Sequence, residues 1–212
     1  MPPRRWSGTT SGWDNSPRWA TGPVEAVDLN SWLILDAQKL AGMASLLHKP
    51  SSEVDNWWQL ANKTAALVQG RLWDEAAGVF FDRNPHTNKF ITAITPATFF
   101  VLLPDGVATK AQAERMAVLL TNTSALSTPF PIPVVSRSDP AFEPSIYWRG
   151  PTWAGLLTRH TSVQVGSECL TRRCRLQLDQ HQLSGGRRPP KVWPDSASRA
   201  TSARDAEPSC TR

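Results

Sequence analysis

Between Ser11 and Trp19 the chain places an acid, an amide, a guanidinium and two indoles close together: Trp13, Asp14, Asn15, Arg18 and Trp19. Gly12 and Pro17 keep this stretch from running on as a helix. Sugars present hydroxyl groups and one apolar ring face. Amide and guanidinium groups satisfy the first, and indoles stack on the second. A carboxylate among aromatic neighbours is expected to be partly desolvated, which raises its pKa toward the range a general acid needs. Asp14 is therefore the candidate acid, with Trp13, Asn15 and Arg18 as candidate sugar contacts. The competing reading is a surface loop with a helix-capping aspartate.

A second cluster of the same kind runs from Glu143 to Trp153: Glu143, Tyr147, Trp148, Arg149, Gly150 and Trp153, held by Pro144 and Pro151. On its own it reads equally well as a core tryptophan pair with a buried Arg–Glu bridge. Two such loops in one chain favour a carbohydrate cleft more than either does alone. The histidines, His48, His86, His160 and His181, lack ligand spacing, so no metal and no cofactor is expected.

The elements that must position these loops are mostly helical. Apolar residues recur at helical spacing from Val27 to Leu47 (Val27, Leu29, Trp32, Leu33, Leu40, Met43, Leu46 and Leu47). Asp28 lies in the first turn, favourable to the helix dipole. Lys49-Pro50 ends this helix, and Ser52 with Asp55 resembles a capping box for the next. The second stripe holds Val54, Trp57, Trp58, Ala61, Ala65, Leu67, Val68 and Leu72. A link of about four residues makes the two helices antiparallel. Gly78–Arg83 and Lys89–Ile91 read as a β-hairpin around Asn84–Asn88. Thr95-Pro96 opens a helix over Ala97–Leu103, Thr109 and Gln112 cap another, and five prolines between 128 and 144 impose an extended loop. A helix restarts near Thr152. Helical hairpins with long loops on one side predict an α/α toroid, with a plain solenoid or bundle as the alternative.

Charge and cysteine content divide the chain. Residues 1–157 carry 13 basic and 13 acidic residues, while residues 158–212 carry 10 and 5, so the net +5 lies in the tail. Cys169, Cys174 and Cys210 lie there too, odd in number and without zinc spacing. The tail is rich in Arg, Ser, Pro, Gln and Gly and is predicted to be disordered, its composition resembling a shifted reading frame. A nucleic-acid partner is not expected, because the basic charge is not spread over a folded face. No apolar run suits a membrane, and no apolar stretch follows the N-terminal charges, so a cytoplasmic location is expected.

The segments SGWDNSPRW, VDLNSWLILDAQKLAGMA, RLWDEAAGVFFDR, TPATFF, TPFPIPVVSRSDPAF and YWRGPTWA together resemble the six-hairpin α/α-barrel glycosidases. The resemblance is to glycoside hydrolase family 63 and its mannosylglycerate hydrolase-like relatives, and more distantly to trehalases. It covers residues 8–157, with 1–7 expected to be a disordered N-terminus and 158–212 the tail. It implies an all-α fold, a partial (α/α)6 toroid with a small β-hairpin insertion. It also implies an inverting hydrolase acting on α-linked glucosides or mannosides, with an oligosaccharide or small glycoside as substrate. On this resemblance Asp14 is the general acid. Trp13, Asn15 and Arg18 line the sugar subsite, and Tyr147, Trp148, Arg149, Gly150 and Trp153 match a second substrate-binding motif. Asp28 and Asn30 match a segment near the cleft.

Departures from the pattern are specific. Thr10 stands where relatives have Glu, and Gly155 where they have Asn. Relatives continue into a loop that carries a Glu as general base. No residue after 158 matches it, and Glu143 is read as a subsite or structural residue. The expectation is a truncated domain that lacks the base and is inactive or nearly so, with exposed apolar flanks. The alternative is an inactive carbohydrate-binding remnant.

Overall fold

The longest regular elements are two helices that begin just after the first loop, α2 (Val27–Leu46) and α3 (Ser51–Leu72). A computed structural model describes residues 3–129 and 132–153, which lie in one compact unit. On α2 the buried stripe is Val27, Asn30, Ser31, Ile34, Ala37, Ala41 and Ala44. It is not the larger-residue stripe expected from sequence. Leu29, Trp32, Leu33 and Leu40 lie half-buried on its flanks, and Met43, Leu46 and Leu47 are exposed. Three alanines in the seam let α3 approach closely through Ala61, Thr64, Val68 and Leu72. Larger side chains there would hold the two backbones apart. The pair is antiparallel: Arg71 at the end of α3 grips Glu25, just before α2, at 3.0 Å.

Pro50, in an extended conformation, is the N-cap of α3, so the Ser52–Asp55 capping box does not form and the helix starts two residues earlier than that box would set. The capping expected at Thr109 does form before α4 (Lys110–Thr121). The Thr109 hydroxyl accepts from Gln112 N at 3.2 Å, and Gln112 Oε1 accepts from Thr109 N at 2.9 Å. Residues Pro96–Leu102 follow the predicted Thr95-Pro96 start but wind as a 3₁₀ helix whose apolar side chains are largely buried.

The strand content exceeds the single hairpin expected. Strands β1 (Arg5–Trp6), β2 (Val24–Glu25), β5 (Asp82–Arg83) and β6 (Phe90–Ile91) form one antiparallel sheet in the order β1-β2-β5-β6. Strands β3 (Trp73–Asp74) and β4 (Val79–Phe80) form a separate pair. The expected Gly78–Arg83 strand splits at Phe81, whose N–H turns away to bond Leu72 O at 2.9 Å. Its two halves join different partners. The turn at Asn84 is as predicted, its side-chain oxygen accepting from His86 N and Thr87 N. Residues 1–7, expected to be disordered, contribute β1, because Arg4 is clamped to Asn30: Arg4 N donates to Asn30 Oδ1 at 2.8 Å and Asn30 Nδ2 to Arg4 O at 3.0 Å. The main core gathers Ile34, Leu72, Phe80, Phe99, Met116 and Leu126 between the helices and the sheets. The helix expected beyond Thr152 and the tail from residue 158 lie outside the described residues.

At the β3–β4 turn, Trp73 Nε1 donates to Glu75 at 2.6 Å, and Arg115 from α4 pairs with the same carboxylate. The indole hydrogen bond, and then Arg115, hold the Glu75 carboxyl below its ordinary value of 4.5. A depressed carboxyl favours the folded state above its unfolded pKa, and that contribution is lost as pH falls through the folded value. Glu75→Gln is expected to lower the urea unfolding midpoint slightly at neutral pH and to leave it unchanged at acid pH, so that the acid-side fall is flatter. Midpoint measurements on both chains across the acid range check this.

Candidate active site

The first loop is built by a sharp change of backbone hand. A short helix α1 (Gly8–Ser11) ends at Gly12, whose φ of 74° suits a residue without a side chain. Trp13–Ser16 then form a turn closed by Ser16 N to Trp13 O at 3.0 Å, and Pro17 opens a 3₁₀ turn over Pro17–Trp19. The two backbone breakers act where the sequence placed them.

The second loop closes on itself. Glu143 N bonds Arg149 O, Ile146 N bonds Glu143 O and Arg149 N bonds Ile146 O, at 2.9 to 3.0 Å. Gly150 makes this possible: a Cβ there would stand 2.0 Å from Glu143 O. That close approach is the role of Gly150, which is buried rather than available to a ligand.

Tertiary structure joins the loops although they lie more than 130 residues apart. Asn15 Oδ1 accepts from Trp148 N at 2.9 Å, and Arg149 Nε donates to Asn15 O at 3.1 Å. Trp13 stacks on Trp148 at 4.7 Å, and Trp148 stacks on Trp153 at 4.3 Å, both nearly parallel. Tyr147 stands edge-on to Trp148 and Trp153. Trp13 and Trp148 are buried, so the inner end of this stack is framework. Tyr147 is half exposed and Trp153 partly so, which makes the outer end the accessible aromatic surface.

Arg18, Asp28 and Asn30 do not line a groove. Arg18 is 1% exposed and its guanidinium is held by two carboxylates. Asp28 receives Nη1 at 2.9 Å and Nη2 at 2.7 Å; Asp82 receives Nε at 2.6 Å and Nη2 at 3.1 Å. Its charged plane also lies 5.2 Å from the Trp13 ring centre and 4.9 Å from that of Trp19. Burial alone works against the charge, but Asp28 and Asp82 outweigh it and hold the Arg18 pKa above its ordinary value. Asn30 is occupied with Arg4. Arg18 is held inside because Asp82, on a strand 64 residues away, binds the guanidinium together with Asp28. Sequence reasoning misses Asp82. Its signal is an acid set directly after Phe80-Phe81 in an apolar strand, where a carboxylate needs a buried partner.

Asp14 is exposed, so the desolvation expected from its tryptophan neighbours is absent. The reason is that both indoles are committed elsewhere: Trp13 to Trp148, and Trp19 to Arg18 and to Trp13 O, which accepts from its Nε1 at 2.8 Å. Among the described residues no hydrogen bond or ion pair ties down the Asp14 carboxylate. It still stands at the junction, because its neighbours in the chain, Trp13 and Asn15, bind Trp148 and Arg149 directly. Glu143 pairs with Arg149 at 3.1 Å on the exposed rim rather than in the interior. Among the described residues no cluster of His, Cys, Asp or Glu is arranged to hold a metal.

Gly150→Ala is expected to force the second loop open and break its contacts with Asn15. Near-ultraviolet circular dichroism should lose the signal of the ordered tryptophans, while the far-ultraviolet helix signal stays.

Residues 3–158 match the mannosylglycerate hydrolase MGH1-like glycoside hydrolase domain. A putative periplasmic trehalase of Escherichia coli O157:H7 is 29% identical over 121 residues, which cover 52% of this chain and 21% of that protein. The GH63 mannosylglycerate hydrolase of Thermus thermophilus, solved in complex with glucose, superposes with a TM-score of 0.66 at 22% identity. The match covers 84% of this chain and 52% of that one. The same hydrolase with Tris and D-glycerate gives 0.62 at 25% identity, covering 77% and 38%. The chain thus spans about a fifth of the curated relatives and about half, or less, of these solved structures. Its helices form a partial α/α toroid of the six-hairpin type. The expected cytoplasmic location does not stand, since the curated relatives matched are periplasmic trehalases. Where this sequence begins carries no weight on location, since it spans so little of them. The described helices include none long and apolar enough to cross a membrane. The chain belongs to the mannosylglycerate hydrolase MGH1-like glycoside hydrolase family.

Proposed function

We propose that this domain serves the hydrolysis of O-glycosidic bonds in an oligosaccharide or small glycoside, with Asp14 as the general acid of an inverting mechanism. The observation that carries this reading is the junction itself. Asn15 and Trp148, from the two motifs, are hydrogen-bonded, and they set an accessible carboxylate beside a stack of indoles. Aromatic faces orient a sugar ring, and Asn15 and Arg149 offer polar groups at its edge. Asp14 would give its proton to the leaving oxygen. A bound sugar would desolvate the exposed Asp14 carboxyl. Trp13, Trp148 and Gly150 act as framework for the contact surface of Tyr147 and Trp153. Arg18, Asp28 and Asn30 support the loop from within.

Inversion needs a second carboxyl about 6.5–9.5 Å away, with room for water between. Glu143 is engaged with Arg149 on the rim, which leaves it poorly placed to activate water. This favours one second reading, a sugar-binding domain without turnover.

A release assay on α-linked disaccharides, paired with calorimetry, separates the two. Hydrolysis by the unaltered chain that falls about 10²–10⁴-fold in Asp14→Asn supports the acid role. Equal rates in the two chains remove Asp14 from catalysis. Binding heat without product supports the second reading.

A further inference from the structure

Asp82 lies outside both loop motifs, yet it joins three separate parts of the chain. It sits on β5, in the sheet that contains β1 and β2. Its Oδ2 receives Arg18 Nε at 2.6 Å, and its Oδ1 receives both Arg18 Nη2 at 3.1 Å and the backbone N–H of Val27 at 2.8 Å. It therefore ties the first loop and the start of α2 to the sheet.

Asp28 alone would neutralise Arg18. What Asp82 adds is orientation. A guanidinium is a flat fork, and two carboxylates meeting different edges of that fork fix its plane. Asp28 takes the Nη1–Nη2 edge and Asp82 the Nε–Nη2 edge. That plane is what Trp13 and Trp19 contact. Trp13 in turn stacks on Trp148 and adjoins Asp14. With Asp82 removed, the guanidinium can swing about its remaining contact to Asp28, and Trp13 loses its fixed backing.

We propose that Asp82 is a positioning residue: through Arg18 it sets the Trp13 ring against Trp148 and thereby fixes where Asp14 stands. Its consequence for turnover rests on the reading of Asp14 as proton donor. Its consequence for the indole stack does not.

The test uses the full chain with Asp82→Asn, Asp82→Ala, Trp13→Phe as a reference for a lost stack, and Arg71→Gln as a control. The control loosens the half-buried Arg71 from Glu25, a pair that shares the sheet with Asp82 but makes no hydrogen bond or ion pair with Arg18. Circular dichroism reads the exciton couplet of the stacked indoles beside the helix signal, and kinetics read kcat and KM separately. The Asp82 variants are expected to keep the helix signal and to lose the couplet to the extent seen in Trp13→Phe. The kcat should fall about 10²-fold with KM near its original value, as misplacement without lost sugar contact requires. If Asp82→Ala does not fold, Asp82→Asn, which keeps the shape and one acceptor, carries the test. An unchanged couplet in a folded Asp82 variant overturns the proposal. So does an equal loss in Arg71→Gln, which would mean general loosening. Absence of turnover in the unaltered chain supports the reading without turnover, and the couplet then decides the role of Asp82.

Discussion

The structure depends on one buried cation. Taking the Arg18 guanidinium out of water is costly, and so is burying each carboxylate beside it. The arrangement holds because Asp28 and Asp82 together use its Nε, Nη1 and Nη2. Two carboxylates against one guanidinium leave an excess negative charge in the interior. That excess sits at the N-terminus of α2, where Leu29 N donates to Asp28 at 2.9 Å and Val27 N donates to Asp82 at 2.8 Å. Backbone N–H groups at a helix start carry partial positive charge, so the helix itself completes the neutralisation. The two carboxylates hold the Arg18 pKa above its ordinary value, so the guanidinium stays charged as pH rises. The cluster is the joint between the first loop, α2 and the sheet.

From that joint the site is built outward in layers. Arg18 backs Trp13, Trp13 backs Trp148, and Trp148 backs Trp153. Exposure rises along the same line, from a cation sealed from solvent to an accessible indole. Rigid parts are buried because packing and ion pairing hold them, and the parts assigned to substrate under the proposed function are exposed. Asp14 and Tyr147 belong to the second group although they adjoin members of the first. This separation explains how residues of one motif, such as Asp14 and Arg18, can serve such different ends.

The helix pair supplies the base for this joint. An alanine seam brings α2 and α3 close, and Arg71 closes one end of the pair onto the buried Glu25. Glu25 is the last residue of β2, directly beside the start of α2. Helix packing and sheet pairing therefore meet within a few residues of Asp28. Two of the most exposed apolar side chains, Leu46 at 80% and Leu47 at 68%, lie at the opposite end of α2. The joint that orders the loop is thus remote from that apolar tip.

Local physics made much of this legible in the amino-acid order. Helical periodicity placed α2 and α3, Gly12 and Pro17 marked the loop breaks, and Thr109 with Gln112 marked a helix start. Each of these follows from a residue and its near neighbours. Motif likeness placed both loops in one family. Only the tertiary structure decided which face of α2 is buried, since a seam of alanines is weaker in hydropathy than the leucines beside it. Only the fold brought Asp82 to Arg18, turning an expected sugar contact into an internal support. It also drew both indoles away from Asp14 and left that carboxylate exposed. Such outcomes depend on partners distant in sequence, and no local pattern encodes which of several competing partners a charged or aromatic side chain will meet.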